Sequence, residues 1–117
     1  MKILCVDDAD FIEFFYKKVL VFHDILVCKD AYQFLIAYEK FGPDLCIVDM
    51  HMHNMSGADA IRKIDMETKV VIVSADDLES IGRQAQQLKS EGYNIIGYKS
   101  KPILAQELKD LVASATT

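Results

Sequence analysis

Two periods of apolar residues alternate along this chain. Short apolar runs fall at Ile3 to Val6, Asp24 to Cys28, Leu45 to Val48, Lys69 to Val73 and Asn94 to Tyr98, and each reads as a strand. Between and after them the apolar residues recur at helical spacing. The first such stripe holds Ile12, Phe15 and Val19 with their neighbours Tyr16 and Leu20, and the second holds Ala31, Phe34, Leu35 and Tyr38. Ala60, Ile61 and Ile64 mark a third helix, Leu78, Ile81, Ala85 and Leu88 a fourth, and Leu104, Leu108, Leu111 and Val112 a fifth.

Boundary residues agree with this division. Asp10 is placed to cap the first helix and Asp30 the second, since a short acceptor side chain satisfies the free N–H groups of a first turn. Gly42-Pro43 ends the second helix, and Gly57 opens the third. Phe11 and Phe14 fall outside the first stripe, so that helix is apolar on a second face too. The unbroken run Leu45 to Val48 predicts a strand covered on both sides, and the β-branched run ending at Val73 suits one as well.

A strand-helix unit repeated five times predicts an α/β fold, a doubly wound parallel sheet with helices on both faces, because right-handed crossovers place them there. Such sheets bind ligands beyond the carboxyl ends of their strands. Here those ends deliver Asp7 and Asp8, Asp49, Ser74 and, just past the last strand, Lys101.

Composition narrows the options. The 117 residues suffice for a single domain, read as spanning 1–117, and 51% apolar residues exclude a disordered chain. A net charge of −5 argues against direct nucleic-acid binding, and no apolar run approaches a membrane span. The N-terminus has one Lys and then an acidic pair, unlike a signal peptide. Cys5, Cys28 and Cys46, odd in number and set in apolar runs, read as reduced core residues of a cytoplasmic protein.

Three carboxylates gathered at one sheet edge repel one another, and a hard cation, Mg²⁺ (or Mn²⁺), relieves this better than a soft metal. Asp49, the lone acid on the central strand, is then the nucleophile toward a phosphoryl group, with Asp7 and Asp8 on the metal. Lys101 supplies a point charge and Ser74 a hydroxyl. Each residue alone has a plainer reading: Asp7 and Asp8 as helix caps, Asp49 as a loop solubiliser, Lys101 as a solvated lysine, Ser74 as a first-turn residue. Tyr98 alternates with Ile96 and by period is a core or edge side chain. His51-Met52-His53-Asn54-Met55 carries imidazole and thioether groups that together suit copper, against the plainer reading of surface loop.

These residues carry a resemblance. Val6-Asp7-Asp8, Asp49-x-x-Met52-x-x-Met55-x-Gly57, Ser74-Ala75 and Lys101-Pro102 stand in the order and at the strand ends found in the receiver domain of bacterial two-component response regulators. The likeness runs from Ile3 to about Leu111. It implies the flavodoxin-like strand order 2-1-3-4-5 and Asp49 as phospho-acceptor. It implies Mg²⁺ held by Asp8, Asp49 and the backbone carbonyl of His51, with Asp7 reaching the ion through water. Lys101 would pair with the phosphoryl group, Ser74 would turn toward it, and Tyr98 would be an aromatic that swings inward on activation. The Lys101-Pro102 bond would be cis. The donor would be a phosphohistidine on a histidine kinase or histidine phosphotransfer protein, docked beside the first helix where Phe11 and Phe14 lie. His53 stands where the family usually has Pro, which predicts a looser loop. A contact between His51 and Asp76 would shield the acyl phosphate and slow its hydrolysis.

The expected function is a phosphorylation switch, not a turnover enzyme, which controls a downstream protein or a homodimer through the face made by the fourth helix, fifth strand and fifth helix. The alternative from another class is a Mg²⁺-dependent phosphohydrolase, because Asp8-x-Asp10 mimics the Asp-x-Asp of haloacid-dehalogenase-like phosphatases and would make Asp8 the nucleophile. A receiver that binds partners without being phosphorylated is a third reading, against which the complete set of site residues stands. The segment Ala113-Ser114-Ala115-Thr116-Thr117 fits both a stand-alone regulator and a receiver within a longer chain.

Overall fold

The computed structural model describes residues 1–116. Strands β1 (Lys2–Val6), β2 (Asp24–Cys28), β3 (Leu45–Asp49), β4 (Lys69–Ser74) and β5 (Asn94–Ser100) alternate with helices α1 (Ile12–Val19), α2 (Ala31–Phe41), α3 (Gly57–Ile61), α4 (Leu78–Ser90) and α5 (Ala105–Ser114). All strand pairs are parallel, in the order β2-β1-β3-β4-β5. The α/β doubly wound architecture is the predicted one.

The sheet separates two cores. On one face Leu4, Val6, Cys46, Val48 and Ile72 meet the buried residues of α2, α3 and α4. On the other Ile3, Cys5, Leu45, Ile47 and Val73 meet α1 and α5 through Tyr16, Leu108 and Val112. Every residue of β3 is buried, as its unbroken apolar run requires. Each fully buried Val, Leu or Ile there contributes about 1.5–3 kcal/mol, which makes the strand carrying Asp49 a rigid mount. The three cysteines are free and buried, and burial pushes the Cys46 thiol up to about 12, so it is a core group without nucleophilic character at neutral pH.

Asp30 caps α2 through the Gln33 N–H, and Gly42 ends that helix in the left-handed region at φ 63°. Three expectations need correction. Asp10 does not cap α1: the helix starts at Ile12, so Phe11 holds the cap position, no side chain caps it, and the Asp10 carboxylate stands in solvent. Leu78 is not part of the buried stripe of α4; at the first helical position it faces outward, and Ile81, Ala85 and Leu88 bury the helix. Tyr98 does not share a face with Ile96. A bulge shifts the β4–β5 register so that Val70 opposes Ile95 and Val71 opposes Gly97. The extra residue reverses the alternation: Ile96 packs on the α1/α5 side and Tyr98 on the α4 side.

Candidate functional site: an acidic pocket at the sheet edge

The register of β1 and β3 pairs Val6 with Val48, so the residues that follow, Asp7 and Asp49, emerge side by side. Both continue the face of Cys5 and Ile47, and both are nearly closed to solvent, at 0% and 4% exposure. Asp8 sits one step farther out and is exposed. One carboxylate oxygen from each of the three lies within 4.8 Å of the others.

Lys101 reaches into this cluster. Its Nζ is 2.6 Å from Asp7 Oδ2 and 3.4 Å from Asp49 Oδ2. Burial lowers the lysine's proton affinity, yet the two carboxylates outweigh it and hold the ammonium above its ordinary pKa. Burial, and then the Asp7 charge, push the Asp49 carboxyl above its ordinary pKa, against the pull of Lys101 and of the His51 N–H, which donates to Asp49 Oδ1 at 3.2 Å. Asp7 Oδ1 accepts the Ala9 N–H at 3.0 Å. Its other oxygen, Oδ2, is buried and has no directed hydrogen bond, because Lys101 approaches close but out of line. A buried carboxylate oxygen with charge compensation alone, beside two further carboxylates, is a donor set that fits a hard divalent cation.

Two further strand ends complete the pocket. Ser74 is fully buried at the end of β4, and its Oγ accepts the Asp76 N–H at 3.2 Å. Lys101 N–H donates to the Ser74 carbonyl at 2.7 Å, which fixes the lysine's backbone to β4. The Lys101-Pro102 peptide bond is cis. His51 Nε2 meets Asp76 Oδ2 at 2.7 Å. That hydrogen bond, with one from Gln84 of α4 at 3.1 Å, holds the Asp76 carboxyl below its ordinary pKa. Ser100 Oγ donates to the Asp76 carbonyl at 2.6 Å.

Gly57 explains the tight return from β3 to α3. A Cβ there would press on the Asp49 carbonyl oxygen and lie 2.8 Å from Met50 Cα, so only glycine lets the chain pass so close to the acidic strand end. Between them the loop bearing His53 is closed by Gly57 N–H to the Met50 carbonyl at 3.1 Å, while Met52 and Met55 pack on the core.

The family model of the response regulator receiver domain matches residues 3–113. The chain belongs to the response regulator receiver domain family.

Among its relatives, the chemotaxis protein CheY of Bacillus subtilis is 28% identical over 109 residues, covering 88% of this chain and 91% of that protein. The sensory/regulatory protein RpfC of Xanthomonas campestris pv. campestris is 29% identical over 122 residues, which cover 97% of this chain and only 16% of RpfC. A crystal structure of a response regulator receiver domain protein from Clostridium thermocellum superposes with a TM-score of 0.81 at 29% identity, over 97% of this chain and 92% of that one. Receiver domains act in two-component signalling together with histidine kinases, and they are switches in that setting.

The receiver's remaining candidate residues divide. Phe11 and Phe14 are 73% and 71% exposed, and Phe11 lines an apolar cavity of about 350 Å³ with Ile12, Phe15, Pro102 and Ile103, next to Lys101. Tyr98 packs with the α4 side of the core, its hydroxyl over Gly82. Of the soft-metal candidates at His51-Met52-His53, the His51 imidazole is turned to Asp76, and the one converging His, Cys, Asp and Glu group among the described residues is Asp7, Asp8 and Asp49. Lys29, Gln84, Ser100 and Gly82 escaped the sequence reading, since what matters in each is a partner distant in the chain. No helix among the described residues is long and apolar enough to cross a membrane.

Proposed function

We propose that this receiver is a phosphoryl-accepting switch in which Asp49 is the acceptor. The observation that carries the reading is Lys101, held between Asp7 and Asp49 at the mouth of a three-carboxylate pocket. A bound Mg²⁺ (or Mn²⁺) would be held by Asp8, Asp49 and the His51 carbonyl, with Asp7 reaching it through water, and would neutralise charge on the phosphoryl oxygens. Asp49 Oδ attacks phosphorus while the bond from phosphorus to the donor histidine breaks and that imidazole leaves. Lys101 then turns from the carboxylates to a phosphoryl oxygen. Ser74 exchanges the Asp76 N–H for another phosphoryl oxygen, to which its hydroxyl donates. Phosphorylation brings roughly −2 charge into the pocket, enough to redistribute a two-state equilibrium through Tyr98 and α4. The exposed Phe11, which shares an apolar hollow with Lys101, and the exposed Phe14 suit the docking of a histidine kinase or histidine phosphotransfer protein. The α4-β5-α5 face, which carries Arg83 and Gln87, is the output surface toward a downstream protein or a second copy.

The phosphohydrolase alternative loses its support in the β1–α1 loop. The Asp10 carboxylate points to solvent and pairs loosely with Lys29 at 3.8 Å, so Asp8-x-Asp10 does not converge. Incubation with acetyl phosphate or beryllofluoride and Mg²⁺, followed by mass spectrometry and NMR, tests the choice. Modification at Asp49 that decays slowly supports the switch. Modification at Asp8 with rapid turnover of phosphate esters overturns it.

A further inference from the structure

The loop that carries Asp8 has little of its own to hold it. No side chain caps α1, the Asp10 carboxylate is solvated, and the Ile12 N–H reaches the Ala9 carbonyl at a long 3.4 Å. Besides the Asp7 carboxylate, which accepts the Ala9 N–H, what holds the loop comes from the end of β2, twenty residues on. The Cys28 carbonyl accepts the Asp7 N–H at 3.0 Å. The next residue, Lys29, extends its Nζ across the loop and donates to the Ala9 carbonyl at 3.1 Å and the Asp10 carbonyl at 3.4 Å. Its own N–H is fixed by Gln33 Oε1 at 3.3 Å, at the start of α2. The ammonium thus bridges two successive carbonyls directly after Asp8, on a segment whose other side-chain tie is the Ala9 N–H to Asp7 Oδ1 at 3.0 Å.

We propose that Lys29 is a positioning residue for divalent-cation binding: it braces the β1–α1 loop so that the exposed Asp8 carboxylate stands ready beside Asp7 and Asp49. The inference rests on the metal-binding reading above and goes beyond it, since Lys29 touches neither metal nor phosphoryl group. It also has a sign that separates it from plain electrostatics. Removing a nearby positive charge, with nothing else changed, strengthens binding of a cation. Removing a brace weakens it, because the loop must then be ordered at the moment of binding.

The test uses the whole chain with Lys29→Met and Lys29→Arg. Mg²⁺ affinity is measured by calorimetry and by amide shifts in NMR, and hydrogen exchange at residues 9–12 is followed in metal-free protein. Lys29 is partly exposed at 40%, so both variants fold. Lys29→Met is expected to raise the Mg²⁺ dissociation constant roughly three- to tenfold, the scale of a lost charged hydrogen bond at a partly exposed site, and to speed exchange in the loop. Lys29→Arg, which can still span two carbonyls, restores both. Unchanged or tighter Mg²⁺ binding in Lys29→Met, or unchanged loop exchange, overturns the inference. If the wild-type chain binds no Mg²⁺, the metal reading itself falls, and loop exchange alone then decides whether Lys29 is a brace.

Discussion

Tyr98 and Gly82 face each other so closely that a Cβ on Gly82 would lie 3.0 Å from the tyrosine hydroxyl and 3.4 Å from Cζ. A glycine in mid-helix costs about 1 kcal/mol relative to alanine, so the ring's seat has a stability cost. Gly82→Ala is therefore expected to gain well under that amount in the wild-type background, because the added methyl displaces the ring. In a Tyr98→Phe background, which lacks the hydroxyl, it is expected to gain close to ~1 kcal/mol. Urea melts of the double-mutant cycle read the difference, and the Tyr98 ring resonances read the displacement. Equal gains in both backgrounds contradict the contact.

Asp49 is a charge the fold would hold more easily as a neutral group. Burial and Asp7 raise its pKa, so the carboxyl contributes stability below its unfolded pKa and loses that contribution as pH rises through the folded value. At neutral pH Asp49→Asn is expected to raise the thermal midpoint by on the order of a few degrees, with the gain shrinking as pH falls through the carboxylate range. Mg²⁺ is expected to stabilise the wild type and to lose most of that effect in Asp49→Asn. A variant less stable than wild type at pH 7 contradicts the repulsion.

His51, two residues past Asp49, and Asp76, two residues past Ser74, pair at 2.7 Å, with Gln84 as a second tie to Asp76. With Asp49 phosphorylated as proposed, this pair would narrow the path of an attacking water. Replacing both residues with Ala is expected to shorten the phosphoryl half-life roughly three- to tenfold, equivalent to about 1 kcal/mol of barrier. Phosphate release timed after removal of the donor measures it, and an unchanged lifetime removes the shielding role.

Glu91 ties the turn after α4 to the end of α3. Its two oxygens take the Arg62 guanidinium at 2.8 and 2.9 Å, and this pairing holds the Glu91 carboxyl down at about 2. A depressed carboxyl contributes stability above its unfolded pKa and loses it as pH falls through the folded one. The window is thus from the ordinary glutamate value of 4.5 down to about 2. Glu91→Gln is expected to be less stable than wild type at pH 7 and equal to it near pH 2. Thermal melts across that range check it, and parallel curves at all pH values contradict it.

The sequence alone determined the order of strands and helices, the carboxyl-end location of Asp7, Asp8, Asp49, Ser74 and Lys101, and the burial of β3, because these follow from local periodicity and from what a parallel sheet does with its strand ends. The strand order and the His51–Asp76 pair were legible through family resemblance, not through period. Other features depended on tertiary structure. The β5 bulge turns Tyr98 to the α4 side, against the simple alternation with Ile96, because register answers to the neighbouring strand. Asp10 lost its capping role once α1 began at Ile12, and the hold on its loop passed to Lys29 from another strand. Such contacts join residues far apart in the chain, and no window of local sequence encodes which of the many exposed lysines will reach two loop carbonyls.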